Sequence, residues 1–156
     1  MSAHISSTQQ TVRARLATIL CGRLVQTVAL VGLCSAYIQG PLVKIFDFAG
    51  ALAEMQHFGL QPAALFAPAV IVFELLMSAL VISGVYRWVG ALALAAFTLA
   101  ATFLALRFWE LPAGPDRAGA MNGFFEHLGL VGAFVIVAAM DLNGGVRQGI
   151  PAVVRP

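Results

Sequence analysis

The chain has 156 residues, of which 60% are hydrophobic and only 10% charged, with a formal net charge of +2. A soluble domain carries about a quarter of its residues as charged side chains, so this composition, with a mean hydropathy of +0.90, is that of an integral membrane protein with room for one domain. The basic residues are scattered and form no face with interleaved aromatics, which excludes nucleic acid as a partner.

In chain order, residues 1–15 are polar and predict a cytoplasmic tail that becomes helical near its end. Residues 16–38 are the first apolar segment, with Arg23 near its start, where the side chain can reach the headgroups, and Gln26 and Thr27 deeper. The run is too long for a cleaved leader and lacks a small-residue exit, so no signal peptide is expected. Cys21 and Cys34 lie on it, about 20 Å apart on a helix, too far for a disulfide at roughly 6 Å. Gly40-Pro41 is expected to end that helix. Residues 42–60 repeat apolar side chains at helical spacing, with Lys44, Asp47, Glu54 and His57 between them, and predict an interfacial helix capping the bundle.

Residues 63–85 are the second span, and Ser83 to Arg87 form a tight turn. Residues 88–108 are an alanine-rich third span whose small residues let helices approach closely. Residues 109–121, with two prolines and two glycines, predict a loop. Residues 122–140 are the fourth span, and the rest an irregular tail. The predicted fold is therefore all-α: an integral membrane bundle of four transmembrane helices, with an interfacial helix in the first outer loop. Its parts are a cytoplasmic tail (1–15), the membrane domain (16–141) and a second tail (142–156). Four spans place Arg13, Arg15, Arg23, Arg87, Arg147 and Arg155 on one side and Lys44, Arg107 and Arg117 on the other, so both termini are expected in the cytoplasm.

Glu74 is the one charged residue in the 21-residue apolar stretch 65–85. A charge at the bilayer centre costs about 2.5–3.5 kcal/mol on insertion scales, so such a residue faces the bundle interior, finds donors or keeps a proton. The predicted topology gathers Lys44, Arg107, Trp109 and His127 on the outer side, with Thr98 and Thr102 near the depth of Glu74. An apolar pocket with a few convergent polar groups suits a small molecule. Each residue also has a purely structural reading. Glu74 could be a hydrogen-bond clasp to Gln26 or Thr102, Lys44 a headgroup anchor, Arg107 and Trp109 an interfacial belt, and His127 a packing histidine. His4, His57 and His127 are dispersed, with no CxxC and no facing haem histidines, so neither a metal site nor an intrinsic cofactor is expected.

The order of short motifs resembles the DoxX family of small four-helix bacterial membrane proteins. The similar features are Arg23, GPLVK (40–44), HFGL (57–60), FELL (73–76), SGVYR (83–87), Arg107-Phe108-Trp109 and FFEHLGLVG (124–132). The resemblance implies an inner-membrane bundle with cytoplasmic termini and a link to redox chemistry. The related DoxD-type subunits belong to thiosulfate:quinone oxidoreductases, and other relatives to thiol and oxidative-stress complexes. The chain departs from the family at Arg107, where relatives commonly have histidine, and at Glu126-His127, where they commonly have Lys-Asn.

On that basis the expected role is a quinone-facing or membrane-anchoring subunit of a redox complex. Glu74 and His127 are the candidate catalytic proton relay, and Lys44, Arg107, Trp109 and Thr102 the candidate substrate-binding residues. A bound quinone is the candidate ligand. The expected partners are the lipid bilayer and a second protein or second copy of the chain. A non-enzymatic adaptor using the alanine-rich third helix is the alternative, and a small transporter a further one.

Overall fold

The central helix of the fold owes its position to a stripe of small and apolar residues. In the computed structural model, which describes residues 2–149 and the side chains of residues 9–144, this helix is the fifth of seven. The helices are α1 (Ser2–Leu20), α2 (Arg23–Leu33), α3 (Ser35–Phe46), α4 (Phe48–His57), α5 (Ala63–Ser83), α6 (Arg87–Ala105) and α7 (Pro115–Gly149). A short 3-10 turn, Phe108–Glu110, follows α6, and there is no strand among the described residues. On α5 the buried residues are Ala63, Ala67, Ile71, Glu74, Ser78 and Val81, steps of three and four that make one inward face.

Three stretches among the described residues are long and apolar enough to cross a membrane: Ala63–Ser83, Arg87–Glu110 and Pro115–Gly144. A bent pair, Gln9–Leu20 and Arg23–Leu33, meets at 62° and brings the number to four if it counts as one span.

Helix α6 packs on both α5 and α7, α3 lies along α5, and α4 sits on the N-terminal part of α5. The main core joins Cys34 and Tyr37 to Val81, Leu94 and Phe134. The Tyr37 and Phe134 rings meet edge to face at 5.4 Å. A second, smaller cluster sets Ala51 and Met55 of α4 against Ala63 and Ala67 of α5. The turn after α5 uses Gly84 at φ 84° and Tyr86 at φ 49°, both left-handed. Arg87 ties it down by donating from Nε to the Val81 carbonyl at 2.9 Å. Asp141 of α7 accepts the Trp88 N–H at 3.2 Å and lies 4.0 Å from Arg87, so it caps α6 from the neighbouring helix.

Several boundaries differ from those expected. The apolar run 16–38 is not one helix, because it breaks at Cys21-Gly22. Gly40-Pro41 does not end a helix but lies inside α3. The helical ladder passes through Cys34, whose N–H reaches the Leu30 carbonyl at 2.9 Å and whose carbonyl accepts the Ile38 N–H at 3.1 Å. Pro41 removes one bond from this ladder, yet it is fully buried, and packing against neighbouring helices makes proline tolerable in such a setting.

The break comes later, at Asp47, whose carboxylate accepts the Gly50 N–H at 2.9 Å and so caps α4. Hence residues 42–60 are the end of α3 and a separate α4 rather than one helix. The supposed loop 109–121 shrinks to residues 111–114 after the 3-10 turn. Pro115 opens α7 with Asp116 in its first turn, a favoured helix start. The N-terminal tail is helical from Ser2, and the C-terminal tail continues α7 to Gly149. The expectation for residues 150–156 lies outside the described residues.

Candidate functional site

Glu74 is the twelfth of the 21 residues of α5 and is only 8% exposed. Its Oε2 has no hydrogen-bond partner. A buried polar atom left unpaired costs on the order of 1–3 kcal/mol, more for a charged group, so Oε2 is a place where a donor or a cation would be accepted. The carboxyl borders a cavity of about 380 Å³. Phe66 and Val70 of α5 and the face of α6 from Phe97 through Ala100, Ala101, Leu104 and Ala105 form most of its walls. Lys44 of α3, Glu54 and Met55 of α4 and Phe58 just after it close the remaining side. Lys44 Nζ lies 3.0 Å from Glu54 Oε2, so the ammonium at the cavity wall is already paired.

The small side chains of α6 make the space. Alanines at 100, 101 and 105 leave room beside α5 that larger residues would fill, and α4, seated on α5, supplies Glu54 and Met55 to the wall.

The sequence-predicted residues fall into three groups. Lys44 and Glu74 share the cavity. Thr102 and His127 are joined to each other instead, Thr102 Oγ1 to His127 Nδ1 at 2.9 Å, and neither is among the residues lining the cavity. Arg107 pairs with Glu110 at 3.2 Å on the exposed 3-10 turn. Trp109 packs there with Phe103, Phe108 and Phe124. The clasp from Glu74 to Thr102 is not made, because Thr102 bonds to the Thr98 carbonyl and to His127. Gln26 is exposed on α2 and does not pair with Glu74 either.

Sequence reasoning missed Glu54 as a site residue, along with the aromatic walls Phe58, Phe66 and Phe97. Glu54 was legible only as one of several polar residues on a half-apolar helix. Its pairing with Lys44 depends on the Asp47 break folding α4 back toward α3, for which the local sequence carries one sign, an Asp at a helix start. The bond between Tyr37 and Thr98 joins residues 61 positions apart and has no local signal at all.

The DoxX family model matches residues 26–107. The chain belongs to the DoxX family. No curated protein and no solved structure matches it. Every residue lining the Glu74 cavity, from Lys44 to Ala105, lies inside the DoxX stretch. Trp109 and His127 lie beyond its end, and Arg107 is its last residue. The part of the chain that makes it a DoxX protein is therefore also the part that builds this cavity.

Proposed function

We propose that this DoxX-family membrane protein is a quinone-facing, membrane-anchoring subunit of a redox complex in a bacterial inner membrane, and not a complete enzyme by itself. The observation that carries the reading is the Glu74 carboxyl, buried and unpartnered at Oε2, at the wall of an otherwise largely apolar cavity of about 380 Å³. A quinone has an apolar tail and ring and two carbonyl oxygens, each of which needs a proton when the ring is reduced. Glu74, when it carries a proton, can donate to one carbonyl. The Lys44 ammonium has protons beyond the one directed at Glu54 and can donate to the head group as well. In this reading Lys44 and Glu74 hold the head group. Thr102 and His127 fix α6 against α7, and Arg107 and Trp109 form the outer rim just past Ala105. Side chains carry no electrons of their own here, so these come from a partner protein's cofactor.

The same reading gives the chain four crossings. Helices α2 and α3 in series, residues 23–46, make the first, about 36 Å long at 1.5 Å per residue. Burial of Cys34 at the junction and of Tyr37 and Pro41 on α3 supports this, as does the lack of any buried residue on α2. Helices α5, α6 and α7 make the other three, and α4 lies at the outer interface over the start of α5. Both termini are then cytoplasmic, the side that holds six of the nine basic residues.

The test is to purify the protein in mild detergent, extract it with organic solvent and quantify quinone in the wild type and in Glu74→Gln. Near-stoichiometric quinone that falls in the variant is the expected result. No quinone in either, from folded protein, overturns the reading and leaves an adaptor role.

A further inference from the structure

The ionisable groups at the cavity do not balance one another. Lys44 and Glu54 form one ion pair at 3.0 Å, which leaves Glu74 as a second carboxyl with no cation of its own. Among the described residues, the elements packed on α5 bring no other counter-charge to the cavity lining, and Arg107, just past α6, is paired with Glu110 at 3.2 Å. Helix α3 presents only Lys44 and the Tyr37 phenol, the latter bonded to Thr98. Helix α4 presents Glu54, and its His57 is exposed with the ring against Phe58. Arg87 of α6 is held at the opposite end by Val81 and Asp141. The one charged residue of α2, Arg23, is exposed at its first position.

In a low-dielectric site such a carboxyl must be neutralised, either by a proton or by a cation that enters the site. Three of the cavity walls are phenylalanines, Phe58, Phe66 and Phe97, and aromatic rings attract cations electrostatically. We propose that the Glu74 cavity also binds a lipophilic organic cation, which enters as Glu74 releases its proton. One proton leaves for each cation that binds, so the charge of the site is unchanged. This goes beyond the quinone reading and does not rest on it. A protonated Glu74 suits a neutral carbonyl, and an ionised one suits a cation.

The probe is tetraphenylphosphonium, with tetraphenylborate as a control of the same shape and opposite charge. Binding to the full-length protein in detergent is measured by equilibrium dialysis across a pH series. Saturable tetraphenylphosphonium binding is expected, tightening by up to about tenfold per pH unit while Glu74 holds its proton. It should weaken by at least about tenfold in Glu74→Gln. The wild type in weakly buffered solution should release about one proton per cation bound wherever Glu74 begins protonated. Absence of saturable binding overturns the proposal. So does affinity that ignores pH, or binding of tetraphenylborate as tight as that of the cation. Equal binding by a folded Glu74→Gln variant also sinks it. If that variant does not fold, proton release by the wild type decides alone, and none released counts against the proposal.

Discussion

Two threonines on α6 settle how the polar residues around them are protonated. Thr98 Oγ1 donates to the Leu94 carbonyl at 2.6 Å, and Thr102 Oγ1 donates to the Thr98 carbonyl at 2.6 Å. A hydroxyl has one proton, so both oxygens can only accept from their other partners. Tyr37 therefore donates its phenolic proton to Thr98, and His127 donates from Nδ1 to Thr102. His127 accordingly holds its proton on Nδ1 when neutral, with the lone pair on Nε2. Nitrogen-15 spectra of labelled protein at neutral to mildly alkaline pH should show that tautomer, and an Nε2–H ring would contradict it. Thr102→Val leaves the Nδ1–H unpaired in a half-buried place and should cost about 1–3 kcal/mol in reversible unfolding. No proton can pass along this chain from Tyr37 to His127, because each threonine proton is directed at a backbone carbonyl rather than at the next side chain.

Between elements, a close approach of α5 and α6 depends on Gly90. A Cβ there would lie 2.7 Å from the Met77 carbonyl oxygen and 2.9 Å from the Leu80 Cβ. Neither atom is the free end of a flexible chain, so Gly90→Ala must push the helices apart. A loss of about 1–3 kcal/mol is expected, read as a lower unfolding midpoint in detergent. Gly129→Ala on α7, where a Cβ meets nothing within 4 Å, is the matched control and should leave the midpoint unchanged or slightly higher.

Elements of this kind were partly legible beforehand. The apolar runs marked α5 and α6, and Gly84 near Arg87 marked the turn between them. Pro41 and Pro115 misled, because proline has one local meaning as a breaker and another in context. Pro115 opens a helix, where its missing N–H costs nothing, and Pro41 is held inside one by burial on neighbouring helices. Of the candidate site, Glu74 and Lys44 stood out because a charge in an apolar run is visible in one dimension. Glu54 and the phenylalanine walls become site residues only when α4 folds over α5, which no spacing along the chain encodes.

For the molecule as a whole, the four crossings proposed above, with the side set by the basic residues, make a definite prediction about the two short connections. The α5–α6 turn around Val85 should face the cytoplasm, and the connection holding Gly114 should face outward. Val85 is 57% exposed, and a Cβ at Gly114 meets nothing within 4 Å, so a cysteine at either place should be tolerated and reachable. Cys21 is exposed and must first be replaced by serine, whereas Cys34 is buried and should stay silent. In spheroplasts a membrane-impermeant maleimide should label Gly114→Cys and not Val85→Cys. Inverted membrane vesicles should show the reverse. Labels exchanged between the two preparations would turn the molecule over and place the Lys44 and Glu54 wall of the Glu74 cavity on the cytoplasmic side. Both sites labelled from one side would mean that α6 does not cross, and four crossings would then be impossible. The expected pattern instead puts Lys44, Glu54 and the cavity wall they form in the outer half of the bilayer, so that Glu74 is approached from the side of the outer leaflet.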